Sequence, residues 1–180
     1  MRLFDNRLWG FLPLCFFALK LWQYAARADI HQVFWFCNIS NLVLAVAIFG
    51  RVRNLVFICA VLLAVGLPIW VFDFIVNGDF HPFSVLTHTL SPALGFLVAR
   101  RLGWTKHVIW QTAVYYLLLQ LIARFFTPPA LNINVAFAVY SPVRSLFTSF
   151  WLYSAVNLVG LIAFTWLISK LLKTTPHTDV

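Results

Sequence analysis

The chain has 180 residues, 62% of them hydrophobic and only 10% charged, with a mean hydropathy of +0.88 and not one glutamate. Such a composition excludes a water-soluble surface and points to a polytopic membrane protein. The formal charge of +8 reads as a topology signal with anionic-lipid contact, and no nucleic-acid partner is inferred from it.

Six apolar runs follow in chain order: Leu8 to Tyr24, Val33 to Phe49, Leu55 to Val76, Phe83 to Ala99, Val108 to Phe126 and Ser145 to Ser169. Each reaches or approaches the ~20 residues that a spanning helix needs, and none alternates apolar with polar residues as barrel strands do. The expected fold is all-α, a single transmembrane domain over 1-180 with helices at about 8-24, 33-49, 55-76, 83-99, 108-126 and 145-169. Basic residues orient it, because their excess marks cytoplasmic loops. With both termini cytoplasmic, Arg2, Arg7, Arg51, Arg53, Arg100, Arg101, Lys106, Lys170 and Lys173 lie inside, against Arg27, Arg124 and Arg144 outside.

The first run has two readings. Ala26-Arg27-Ala28 has the small-x-small form of a signal-peptidase site, whereas Lys20, Trp22, Gln23 and Tyr24 fit an aromatic and basic anchor at an interface. On either reading the second run starts outside. Cys37 and Asn38 then lie just below its outer start, with Asn41 a turn deeper. Asp73 is three residues from the outer end of the third run, and His88 is five below the outer start of the fourth. Gln120 and Arg124 close the fifth. At ~1.5 Å per residue, Cys37, Asn38 and His88 sit ~6 to 8 Å into the bilayer. Polar groups within lipid are costly, so their convergence at one level reads as a functional site.

The connection 127-144, TPPALNINVAFAVYSPVR, is too apolar for a free loop and too interrupted by proline to span. An interfacial or re-entrant segment is expected, either a lid over the site or a passive hairpin. Asn132 and Asn134 alternate with Leu131, Ile133 and Val135, a spacing able to point both amides one way. In the sixth run Ser145, Ser149, Tyr153 and Asn157 recur every four residues and share one stripe. That stripe serves either helix packing through hydrogen bonds or, at Ser145 and Tyr153, a pocket wall. Gly66-Leu67-Pro68 and Ser91-Pro92 are candidate helix breaks.

Chemistry at this level falls to Cys37, His88 and Asp73, as nucleophile, base and orienting carboxylate. Cys37 is also an ordinary packing residue by type, and Asp73 has Lys20, Arg124 and Arg144 as alternative partners. Candidate substrate-binding groups are Lys20, Asn38, Asn41, Gln120, Arg124, Asn132, Asn134, Tyr140, Arg144 and Tyr153. Cys15 and Cys59 are not level with Cys37, which argues against a disulfide. His31, Asp79, His81 and His88, with Asp73 and Cys37, lack the tight spacing of a helical metal motif, so neither a metal nor another cofactor is expected.

The order Phe36-Cys37-Asn38, Pro68 followed by Asp73, His88 within Leu86-Thr87-His88-Thr89-Leu90-Ser91-Pro92, Asn132-Ile133-Asn134 and Tyr140-Ser141-Pro142 resembles six-helix bacterial integral membrane proteins of the YwaF type. These are similar in turn to the transmembrane-164 family. The resemblance covers most of the chain in order and spacing. It implies acyl transfer between lipids in the bacterial inner (plasma) membrane, with Cys37 as acyl-accepting nucleophile and His88 as its base. Two elements depart from the pattern: Phe34, Trp35 and Phe36 stand where those proteins often carry a histidine, and Tyr140 follows Asn134 only after six residues.

A polar layer at this depth is also where lipid ester carbonyls reside, with Phe16, Phe17, Phe34, Trp35 and Phe36 as acyl-chain walls and Lys20, Arg124 and Arg144 as phosphate ligands. The leading expectation is a lipid acyltransferase or acyl hydrolase with membrane lipids as partners. The alternative is a non-catalytic carrier subunit or an assembly or binding protein. A one-sided layer without an internal repeat favours a one-sided site over alternating access. The sequence leaves the oligomeric state open.

Overall fold

A computed structural model describes residues 6–78 and 82–174. Six α-helices account for most of it: α1 Phe11–Ala26, α2 Phe36–Gly50, α3 Arg53–Asn77, α4 Pro82–Leu102, α5 Val108–Phe126 and α6 Phe150–Thr174. Short 3-10 turns precede α1 (Asn6–Gly10), precede α2 (Ile30–Phe34) and punctuate the connection between α5 and α6. No strand occurs among the described residues, in line with the all-α expectation. Arg2, Asp79 and His81, used above for topology and for the metal reading, lie outside the described residues.

Among the described residues three helices are long and apolar enough to cross a membrane: Arg53–Val76, Val108–Phe126 and Phe150–Lys173. They mark the chain as a membrane protein. The other three fall short for identifiable reasons. The α1 helix has 16 residues and carries Lys20, α2 is apolar but has only 15 residues, and α4 spends positions on Ser84, Thr87, His88, Thr89, Ser91, Arg100 and Arg101.

The α3 helix is the axis of the bundle. It packs most extensively on α4 and α2, while α1 packs on α2, and α6 leans on α5 with little contact to α3. Phe57, Leu62 and Leu63 of α3 interlock with Leu44 and Ile48 of α2, Val98 of α4, and Val108 and Leu119 of α5, all essentially inaccessible. Such dense apolar packing leaves few voids. The tight crossing of α3 and α4 depends on small residues, since a methyl group added at Gly95 would come within 2.7 Å of the Ala60 side chain. Close backbone approach through small residues is the usual route to helix association in lipid. By contrast α6 exposes Trp151, Val159, Trp166 and Leu171, as suits a surface bathed by acyl chains.

Two expectations about breaks are corrected. Pro68 and Pro92 sit inside uninterrupted α3 and α4, because membrane helices tolerate proline where neighbouring helices and hydroxyl side chains compensate the lost bond. The last helix starts at Phe150, five residues later than Ser145. Pro142 opens a 3-10 turn, Ser141–Leu146, and Phe147 is extended, so the chain is not yet α-helical there. Ser149 lies just before α6 and its hydroxyl accepts the Leu152 N–H at 3.1 Å, as an N-terminal cap does. The four-residue stripe therefore reduces to Tyr153, buried, and Asn157, half-buried.

Candidate functional site

Two polar assemblies stand beside one another at the end of the bundle where α1 finishes and α2 begins. The first is a strap, residues 127–149, anchored by Asn134. That residue takes a left-handed backbone, φ +57°, which asparagine accepts more readily than most residues, and its side chain is only 1% exposed. Its Nδ2 donates to the Phe34 and Leu119 carbonyls at 2.9 and 3.2 Å, and its Oδ1 accepts the Phe36 N–H at 2.6 Å. The first turn of every helix has unsatisfied N–H groups. Here the cap of α2 arrives from 98 residues away.

The strap has further ties. Gln120 Nε2 donates to the Asn134 carbonyl and to the Tyr116 hydroxyl, both at 3.1 Å. Arg124 Nε donates to the Ala136 carbonyl at 2.6 Å, and its guanidinium lies over the Phe150 ring. The Tyr140 hydroxyl donates to the Asp73 carboxylate of α3. Asn132, also left-handed at φ +44°, folds its amide back on the strap itself, accepting from Phe137 and Ala138 N–H and donating to the Ala138 carbonyl, each at 3.0 Å. The two asparagines thus point to different places. Left-handed positions at Asn132, Asn134 and Val135 rotate the chain, so the alternation of an extended segment does not apply. Arg144 is exposed.

The second assembly joins α1 to α4. Lys20 is only 5% exposed, and its ammonium donates to Ser84 Oγ at 3.0 Å while lying 5.7 Å from the centre of the Tyr24 ring. The Ser84 carbonyl accepts in turn from Thr87 Oγ1 and from His88 Nδ1, both at 3.0 Å. That bond places the neutral imidazole's proton on Nδ1 and leaves Nε2 as the acceptor. The Nε2 edge faces Gly66 of α3: a Cβ built there would lie 3.1 Å from both Cδ2 and Nε2, with the Phe36 ring next to it. Trp70 lies across the imidazole at 6.2 Å between centroids. One turn deeper, Ser91 Oγ donates to Asn41 Oδ1 at 2.5 Å, and Asn41 Nδ2 donates to the Cys37 carbonyl at 2.9 Å. Asn38 is spent on the Gln32 carbonyl.

The proposed trio is therefore distributed. Asp73 is engaged by Tyr140 of the strap, and His88 by Ser84 of its own helix. Cys37, half-buried in the first turn of α2, shares with His88 an electrostatic neighbour, Lys20. Ser84, Thr87 and Ser91 escape a search by depth because hydroxyls are cheap in membrane helices. Their spacing with His88 (84, 87, 88, 91) nevertheless marks one polar stripe on α4.

Beside Lys20 opens a cavity of about 310 Å³, walled by Leu19, Lys20, Trp22, Gln23 and Arg27 of the α1 end and by Phe83 of α4. Lys20, Gln23 and Arg27 follow one helical stripe, and the apolar walls are exposed where the groove meets the surface. No family model, curated protein or solved structure matches the chain, so its function must be read from this geometry.

Proposed function

We propose that the chain is a six-span integral membrane protein with both termini on the cytoplasmic side, and that its polar site in the outer leaflet binds lipid without transforming it. The basic-residue asymmetry supports the orientation. The observation that carries the site is Lys20: an almost buried ammonium, tied across helices to Ser84, lines a cavity with Gln23 and Arg27 on the same stripe and apolar Leu19, Trp22 and Phe83 beside them. A cation is expensive at this depth, and a cavity with a charged floor and apolar lips matches an amphiphile. Photoactivatable phospholipid crosslinked in membranes tests the reading. Adducts are expected on the peptides containing Leu19, Trp22 and Phe83, above the level on the lipid-facing Trp151 and Trp166 of α6. Adducts no denser there than on α6 would overturn it.

A second reading, acyl transfer through Cys37 with His88 as base, is favoured by the position of Lys20 within electrostatic range of both. It requires the His88 ring to leave Gly66 and reach Cys37 on substrate binding. An acylating thiol probe decides: labelling of Cys37 that His88→Ala abolishes supports transfer, and labelling indifferent to His88 removes it.

A further inference from the structure

The groove between α1 and α4 carries more information than a capacity for lipid. Resting on the lipid-binding reading above, we infer that it selects an anionic phosphate ester, held between Lys20 and Arg27. Its charged wall consists of these two cations, with Gln23 between them and no carboxylate among the described lining residues. Among the described residues Lys20 has one hydrogen-bond acceptor, Ser84 Oγ, although an ammonium carries three donors. Arg27 is exposed and makes no ion pair with a described residue. Two donor-rich cations thus line one cavity, and among the described residues only one of the three Lys20 donors has a hydrogen-bond acceptor.

The spacing suits a phosphate. From Lys20 to Arg27 is seven residues, ~10 Å along a helix, and both side chains are long enough to converge on one anion from its two ends. An arginine fork with a lysine point charge is a common phosphate clamp. The carboxyl-terminal end of α1 contributes about half a negative charge nearby, which two full cations exceed. Arg27 is also one of only three basic residues on the side that the positive-inside rule depletes, so topology gives it no reason to be there. Leu19 lies on the α1 stripe two turns before Arg27, and with Trp22 and Phe83 it would take the first methylenes of the acyl chains below the phosphate.

The test uses the full chain in detergent micelles and native mass spectrometry with dioctanoyl phosphatidylglycerol, dioctanoyl phosphatidylcholine and inorganic phosphate as probes. The anionic lipid is expected to be retained about tenfold more tightly than the zwitterionic one, a difference of about 1.4 kcal/mol. Arg27→Gln, an exposed substitution that spares folding, should reduce that preference to about threefold, and Lys20→Met with Arg27→Gln should bring it close to parity. Displacement of the anionic lipid by inorganic phosphate would place recognition in the phosphate alone, and displacement by the diacyl compound only would make the lips part of it; both outcomes support the clamp. Equal retention of the two lipids, or a preference untouched by Arg27→Gln, overturns the clamp while lipid binding stands. Retention of neither lipid overturns the clamp and the lipid-binding reading together.

Discussion

The strap and the α1–α4 groove lie at the same end of the bundle and hold most of its costly side chains, yet they use them in opposite ways. In and around the strap, Asn132, Asn134 and Tyr140, with Gln120 and Arg124 of α5, each hydrogen-bond to the protein itself. In the groove Lys20 is held by a single hydroxyl and Arg27 by no carboxylate among the described residues. Polar groups inside lipid persist when they are satisfied internally or when something else satisfies them. The strap meets the first condition. The groove fits the second, which is why the binding site is proposed there although the strap is richer in polar residues.

Breaking the strap should therefore damage stability. Asn134→Ala removes three hydrogen bonds from an inaccessible position and strands the Phe36 N–H and the Phe34 carbonyl, while the Leu119 carbonyl keeps its place in the α5 ladder. Each buried orphan costs about 1–3 kcal/mol, so a loss of about 3 kcal/mol is expected in denaturant unfolding in micelles, with new protease cleavage inside 127–149. A loss under about 1 kcal/mol would show that the strap is not held through Asn134. Next in size is the tie to α3. Tyr140→Phe should cost about 1.5 kcal/mol, as for a hydrogen bond to a charged group, and Asp73→Asn should not add fully to it in a double-mutant cycle. Full additivity would mean that the two side chains act separately.

Lys20→Met should behave differently, and this sharpens the contrast. Replacing a desolvated cation by an apolar side chain of similar length is often neutral or stabilising, so unfolding should move by no more than about 1 kcal/mol in either direction. A destabilisation as large as that of Asn134→Ala would make Lys20 a structural strut and dissolve the difference between the two regions.

What the sequence discloses follows from the length scale of each feature. Long apolar runs make α3 and α5 legible to within two residues, because lipid forces every backbone bond into the helix itself. The start of α6 is not legible from hydropathy, since Phe147 and Phe150 are equally apolar whether extended or helical; only Pro142 and the cap by Ser149 decide it. Lys20 is conspicuous in the sequence as a charge inside an apolar run. Its partner Ser84 is not, being 64 residues away and chemically inconspicuous. Depth brought Cys37, His88 and Asp73 to one level, but helix rotation decides contact. In the packing of α4 on α3 the His88 ring lies against Gly66.

The smallest expected effect is at the residue with the most chemical promise. Cys37→Ser keeps the side chain small and leaves its carbonyl free to accept from Asn41, so unfolding should change by about 0.5 kcal/mol or less. If the groove binds lipid and Cys37 is a packing residue, phosphatidylglycerol retention in native mass spectrometry should be unchanged. Bound mass distinguishes the alternative directly. An acyl-enzyme would appear as a covalent increment equal to one acyl chain on the wild-type protein, surviving denaturation and absent from the Cys37→Ser variant, because a thioester forms at the sulfur as the lipid's alcohol leaves with the thiol proton. Such an increment would move the centre of the site from the α1–α4 groove to the first turn of α2. It would also give the strap a new role, since Asn134 fixes that turn through the Phe36 N–H and would then position a nucleophile rather than merely close a helix end.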